Sequence, residues 1–202
     1  MRLYYSPGAC SLAPHIVARE AGIELELVKV DLKTKTVAKE GDYWAINPKG
    51  YVPALVLDNG ETLTEVPAIV QYLADLKPGS GLLPACGKFE RYRVQETLGY
   101  INSEIHKSYS PLFDPATSPD VREERVAYLK KRYTVLDRQL AARDYLFGER
   151  FGVADAYLYT VTNWARLVKV DLAECPSVLA FRKRAAARPA VQAAMQEEGL
   201  LK

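Results

Sequence analysis

Cys10 is the residue of this sequence whose type and position best suit nucleophilic chemistry. Arg2 to Tyr5 reads as a short strand, Ser6-Pro7-Gly8 breaks it, and Ser11 to Glu20 offers a helix that tolerates Pro14 in its first turn. The cysteine therefore falls at a strand-to-helix junction. There, unpaired backbone N–H groups and the positive end of the helix dipole favour thiolate over thiol. An ordinary thiol, with a pKa of ~8.5, is only a few per cent ionised at neutral pH, whereas helix-end cysteines fall to roughly 3.5 to 7.5. The competing reading of Cys10 is a small buried apolar residue, as many free cysteines are. Cys86 and Cys175 take that second reading. One lies in a Pro/Gly-rich stretch and the other directly before Pro176, so neither is expected to have a helix end to activate it.

Three further places carry polar chemistry. Val52-Pro53 follows the turn Asn47-Pro48-Lys49-Gly50 and opens a strand. A cis bond there would turn the Val52 N–H and C=O outward, toward an extended peptide-like ligand added as a strand. Thr64-Glu65-Val66-Pro67 leads into a helix, so the Val66 N–H suits a carboxylate and Glu65 suits an ammonium group beside it. Together they fit the amino-acid end of a substrate, although an acidic residue before a helix is also a plain cap. Ser103, His106 and Lys107 fall at i, i+3 and i+4 of a long helix and share a face apart from the apolar Leu98, Ile101 and Ile105. His106 can stabilise a thiolate or move a proton, or can simply be a satisfied helical histidine. His15, in the first helix, is given no chemical role. Gly152 and Asp155 form a helix-capping arrangement ahead of Ala156 to Val161 and are read as structural.

The elements that must position these groups follow in order. After the first strand and helix come a strand at Leu25 to Val30, a polar irregular stretch at Lys33 to Ala45, and strands at Val52 to Leu57 and Glu61 to Thr64 around Asp58-Asn59-Gly60. A helix then opens at Pro67 and closes near Asp75. Residues 78–88 are rich in Pro and Gly and read as a linker between a mixed first domain, 1–77, and a helical second domain, 89–202. Helices are predicted there at about Phe89–Tyr109, Val121–Ala142, Ala154–Val168 and Ser177–Arg188.

The composition narrows the function classes. A chain of 202 residues that is 49% apolar is long enough to bury roughly 70% of its unfolded surface. Three scattered cysteines without a CxxC spacing argue against a disulfide framework and a zinc cluster, so no metal is expected and a reducing compartment fits. The amino terminus has no signal-peptide pattern and no window approaches a membrane span, which predicts a cytoplasmic protein with no membrane partner. A dispersed net charge of +2 makes nucleic acid an unexpected partner.

Five segments, YYSPGACSLAPHI, INPKGYVPAL, TEVPAIVQYLAD, SEIHKSYSPLF and FGVADAYL, resemble in order and nearly from end to end the beta class of bacterial glutathione transferases. The resemblance implies an α/β thioredoxin-like N-terminal domain with Pro53 in cis, an all-α C-terminal helical domain, and a homodimer with glutathione sites near the subunit interface. It implies that Cys10 lies against the glutathione sulfur or forms a mixed disulfide with it, and that His106 approaches the same sulfur. Tyr5 would lie nearby. Lys35 would bind the glycine carboxylate, the Val52 backbone would pair with the cysteinyl unit, and Glu65 with Val66 would hold the γ-glutamyl end. Ser103 and Glu104 would reach glutathione from the long helix, across the dimer. The sequence departs from the family pattern at Gly99, where Asn is usual, Thr97, where Trp is usual, and Tyr51, where Gln is usual; Val66 lacks a hydroxyl. The contact missing at Gly99 is worth about 0.5–1.5 kcal/mol if nothing replaces it.

The expected activity is detoxifying attack of glutathione thiolate on a small electrophile. Thiol–disulfide exchange through Cys10 accompanies it. The competing reading, from another class, is a non-catalytic ligand-binding or interaction protein on the same fold.

Overall fold

The computed structural model describes residues 1–38 and 41–201. By their contacts these form two compact units, Met1–Leu83 with Arg188–Lys202, and Pro84–Ala187.

The first unit is built on a six-stranded sheet of order β4-β3-β2-β1-β5-β6. Its strands are β1 (Arg2–Tyr5), β2 (Glu26–Asp31), β3 (Thr36–Val37), β4 (Gly41–Asp42), β5 (Ala54–Val56) and β6 (Thr62–Thr64). β1 pairs parallel with β2 across the crossover helix α1 (Leu12–Glu20), while β5 and β6 pair antiparallel to their neighbours. This is the mixed sheet of a thioredoxin-like domain. β1 occupies its centre, which is why Leu3, Tyr4 and Tyr5 are all buried rather than alternating: both faces of a central strand are covered. Tyr4, Val30, Val37, Tyr43, Val52 and Ala54 form one core cluster beneath the loops of interest. The polar stretch predicted as irregular contains the short ribbon β3–β4 and a single 3₁₀ turn, Tyr43–Ala45. Residues 39–40 of that stretch lie outside the described residues. Among those described, only Val37 and Tyr43 are buried there, too few to set a period. The helix after the β5–β6 hairpin is α2 (Val66–Asp75), with Pro67 in its first turn as expected.

The helical unit holds α3 (Phe89–Tyr100), α4 (Ser110–Phe113), α5 (Pro119–Leu140), α6 (Val153–Leu167) and α7 (Pro176–Ala186). α6 is the central rod, buried nearly all round from Val153 to Ala165. The long helix predicted from Phe89 to Tyr109 does not keep one pitch: it widens to a π-helix at Ile101–His106 and tightens to 3₁₀ at Lys107–Tyr109. A further helix, α8 (Pro189–Glu197), follows α7. The tail that carries it groups with the first unit, not with the helical domain to which the sequence pattern assigns it, because α8 packs along α1. Arg188 anchors this return through two bonds to Glu20, at 2.5 and 2.8 Å.

No helix among the described residues is long and apolar enough to cross a membrane.

Candidate functional site

In the first unit, the site residues surround one loop. Asn47 to Gly50 closes a tight turn, with the Gly50 N–H bonded to the Asn47 carbonyl at 2.8 Å. Gly50 has φ +67°, and a Cβ there would sit 2.5 Å from the Trp44 ring, so only glycine fits. The Tyr51 carbonyl accepts from Tyr43 Oη (2.9 Å) and Asn47 Nδ2 (2.6 Å), and the Gly50 carbonyl accepts from Lys35 Nζ (2.8 Å). Burial pushes the Tyr43 phenol up to about 12, so it stays a neutral donor. The loop thus reaches Val52 from a pinned base, and the Val52–Pro53 bond is cis, as the resemblance implied.

Cys10 meets this loop. Its half-buried Sγ donates to the Val52 carbonyl at 3.1 Å. The thiol thus engages a carbonyl of the segment read as a docking edge for a peptide-like ligand. α1 begins at Leu12 with Ser11 as its cap, so Cys10 sits just ahead of the helix, and its own carbonyl accepts the Ala13 N–H at 3.1 Å.

Among the described residues, three that are not glycine have positive φ: Lys35 (56°), Glu65 (71°) and Lys169 (60°). Two of the three are residues read as glutathione ligands. Left-handed backbone costs a side-chain-bearing residue about 1–3 kcal/mol and persists where surrounding structure holds it, commonly at functional sites. Lys35 Nζ lies 6.0 Å from the Trp44 ring centroid and 5.6 Å from that of Tyr51, so the exposed Tyr51 helps to fix this cation. Glu65 is the cap residue of α2 but makes no side-chain cap bond. Its carboxylate instead pairs with Lys49 at 2.7 Å, in an exposed ion pair. Val66 is buried at the first position of α2, among the N–H groups that have no intrahelical acceptor. Tyr5 is buried, and its phenol is pushed up by that burial and by the charge of Glu198.

In the helical unit, the π-helix carries Asn102, Ser103, Glu104 and His106. Tyr157 Oη on α6 donates to Asn102 Oδ1 at 2.9 Å and lies 2.5 Å from His106 Nδ1. A phenol has one proton; given to Asn102, it leaves His106 Nδ1 as the donor in its own bond. In neutral imidazole the proton then sits on Nδ1 and the basic lone pair on Nε2. The Trp164 ring stacks edge-on against His106 at 4.9 Å. Sequence reading missed Asn102, Tyr157 and Trp164; the π-bulge that aims Asn102 leaves no periodic trace. Glu104 Oε2 accepts from Tyr128 Oη at 2.5 Å and faces Arg132 Nε at 2.9 Å, while Ser103 Oγ donates to Glu104 Oε1 at 3.4 Å. Gly99 opens onto space, with nothing within 4 Å of where a Cβ would stand, whereas Thr97 is buried.

The capping pair is structural. Asp155 is buried and accepts the Gly152 N–H and the Leu146 N–H, each at 2.9 Å. Cys175, read as lacking a helix end, in fact caps α7. Burial pushes its thiol up, with Asp137 and Glu174 adding to the shift. Among the described residues no cluster of three or more His, Cys, Asp or Glu side chains is placed to hold a metal.

Residues 8–76 match the family model for the glutathione S-transferase N-terminal domain, and residues 100–189 match that for its C-terminal domain. Glutathione S-transferase GstA of Escherichia coli O157:H7 is 46% identical over 99% of this chain and 100% of its own. A sphingomonad glutathione S-transferase solved in complex with glutathione is 48% identical, with a TM-score of 0.95 and full coverage of both chains. A bacterial beta-class glutathione S-transferase from Sphingomonas chungbukensis is 45% identical, also with a TM-score of 0.95 over all of both chains.

Proposed function

The chain belongs to the glutathione S-transferase family, in its bacterial beta class, and we propose that it couples the glutathione sulfur to small, largely apolar electrophiles while Cys10 exchanges disulfides with the same tripeptide. It is a glutathione transferase, as its close relatives are named, which disfavours the non-catalytic reading.

One observation carries the residue assignment: Cys10 Sγ lies 3.1 Å from the Val52 carbonyl, on the loop that opens the cis Val52–Pro53 bond. An extended tripeptide pairing its cysteinyl unit with the Val52 backbone would bring its own sulfur to Cys10. The glycine carboxylate would then meet Lys35. The γ-glutamyl carboxylate would take the Val66 N–H at the start of α2, and its ammonium would share Glu65 with Lys49. Tyr5 would wall the pocket. His106, with Nδ1 held by Tyr157, would offer Nε2 to the glutathione thiol as a proton acceptor. Orientation by fixed donors lowers the barrier to attack, and the product is a thioether.

In the redox branch, Cys10 thiolate attacks one sulfur of oxidised glutathione. A mixed disulfide forms at Cys10, the glutathione S–S bond breaks, and one glutathione thiolate leaves with the electron pair. We assign the protein to the cytoplasm as a detoxifying homodimer, with Ser103 and Glu104 reaching the partner subunit's glutathione. Phe89 and Tyr92, exposed on α3, support a covered helix face.

Intact mass after exposure to oxidised glutathione tests the reading. One added tripeptide, mapped to Cys10, is expected. Conjugation that persists at near-normal rate in Cys10→Ala would restrict Cys10 to the redox branch, and absence of glutathione binding by calorimetry at millimolar ligand would sink both branches.

A further inference from the structure

We infer that Tyr128 and Arg132 on α5 are positioning residues for His106, acting through Glu104 on the π-helix that carries both. The inference rests on His106 as the proton acceptor of the proposed function.

An α-helix turns by about 100° per residue. A π turn takes in one residue more, so every side chain beyond it is re-aimed by about that angle from where an uninterrupted α3 would send it. Here the wide turn is closed by the Lys107 N–H on the Asn102 carbonyl, five residues back. The direction of His106 is therefore set by a turn that is rare in helices, and side chains from two neighbouring helices hold it.

Tyr157 on α6 takes one pair of residues, Asn102 and His106. The long helix α5 takes the other pair. Tyr100 Oη donates to the Arg132 carbonyl at 2.9 Å, while Glu104 Oε2 meets Tyr128 Oη at 2.5 Å and Arg132 Nε at 2.9 Å. Each pair is spaced by four and the two alternate along the chain, so α5 and α6 grip different faces of the same turn. Tyr128 and Arg132 are themselves four apart, and the Arg132 guanidinium lies 4.5 Å from the Tyr128 ring centroid, so the two partners of Glu104 brace one another. Where the pitch tightens after the π turn, Ser108 Oγ donates to the Glu104 carbonyl at 2.8 Å. Glu104 is thus fixed by side chain and main chain, two residues before His106. Ile101 and Ile105 are fully buried beside it. Their apolar contacts have no direction, so they anchor the turn without fixing its rotation.

The two helices divide the work. Tyr157 sets which ring nitrogen of His106 carries the proton, and the α5 clamp sets where the ring stands. With the clamp removed, the turn can relax toward α pitch, which swings His106 away from Tyr157 Oη and frees its tautomer. Glu104 Oε1, which takes Ser103 Oγ at 3.4 Å, is the oxygen that would serve the partner subunit's glutathione, so the two roles of Glu104 fall on different atoms.

The test uses Arg132→Met, which keeps an unbranched stem and removes the guanidinium. His106 is one of two histidines, so its ring-nitrogen NMR signals in the ligand-free chain are assigned by comparison with His106→Asn, at a pH where the ring is neutral. In the unsubstituted protein these signals should report a proton on Nδ1. In Arg132→Met they should move toward the average of the two tautomers, with kcat lowered by about threefold and KM for glutathione changed by less than about twofold. Lys131→Met, at an exposed neighbouring position on α5, should alter none of these. Unmoved His106 signals in Arg132→Met would overturn the inference. A raised KM with kcat unchanged would also overturn it, leaving the pair to serve only the contact of Glu104 with ligand. If Arg132→Met does not fold, Tyr128→Phe, which deletes a single oxygen, is read in the same way: shifted signals support the clamp and unmoved ones overturn it. Full kcat in His106→Asn would sink the proposed proton transfer, yet the nitrogen signals, recorded without glutathione, would still decide the clamp.

Discussion

Cys10 and Cys175 stand at similar places in the chain, Cys10 one residue ahead of the α1 cap and Cys175 at the cap position of α7. Cys10 precedes α1 with its thiol half-buried and aimed at the Val52 carbonyl. Cys175 caps α7, but it is 1% exposed and burial pushes its thiol up. A helix amino terminus therefore does not make a reactive cysteine. Desolvation opposes the thiolate at Cys175 more than the helix end favours it, and the neighbouring carboxylates of Asp137 and Glu174 act in the same direction. At Cys10 the thiol meets a polar loop, so a ligand that competes for that carbonyl can change its state.

The largest expected effect breaks or upholds this contrast directly. In the native protein near neutral pH, iodoacetamide is expected to alkylate Cys10 at least about tenfold faster than Cys175. Cys175 should react freely only after denaturation, and similar rates for the two would abolish the distinction. Next, Cys10→Ala should eliminate the mixed disulfide with oxidised glutathione, and Cys175→Ala should leave it intact, as read by intact mass.

Asp155→Ala separates a helix entry that holds structure from one that does chemistry. It strands the Gly152 and Leu146 N–H donors and should lower unfolding free energy by about 3 kcal/mol in denaturant titration, with Cys10 alkylation of the folded protein unchanged. Tyr157→Phe removes the phenol oxygen that holds His106. A fall in kcat of about fivefold with little change in KM for glutathione is expected, because proton transfer suffers and tripeptide binding does not. The smallest effect belongs to Lys49→Ala. Its pair with Glu65 is exposed on both sides, so thermal unfolding should report a stability change under about 0.5 kcal/mol.

Much of the site is legible in the residues alone. The strand-break-helix pattern locates Cys10, the Asn-Pro-Lys-Gly turn locates the loop ahead of Val52, and Gly152 with Asp155 marks the α6 entry. Each is a local signal, carried by residues within a few positions of one another. Other features are not legible, for a common reason. The Glu65–Lys49 pair joins residues 16 positions apart, and Tyr157 meets His106 across 51 positions. His15, given no chemistry from sequence, becomes the centre of a buried network only because α8 lies along α1.

By itself the sequence determined the order of the main strands and helices, the α6 cap, the turns and the candidate thiol, because propensity, capping and period act over one or two turns of chain. Tertiary structure alone decided which cysteine is buried, where the C-terminal helix docks and what holds the Cys10 loop. Those outcomes depend on desolvation and on hydrogen bonds between segments up to 190 positions apart, and no local period records them.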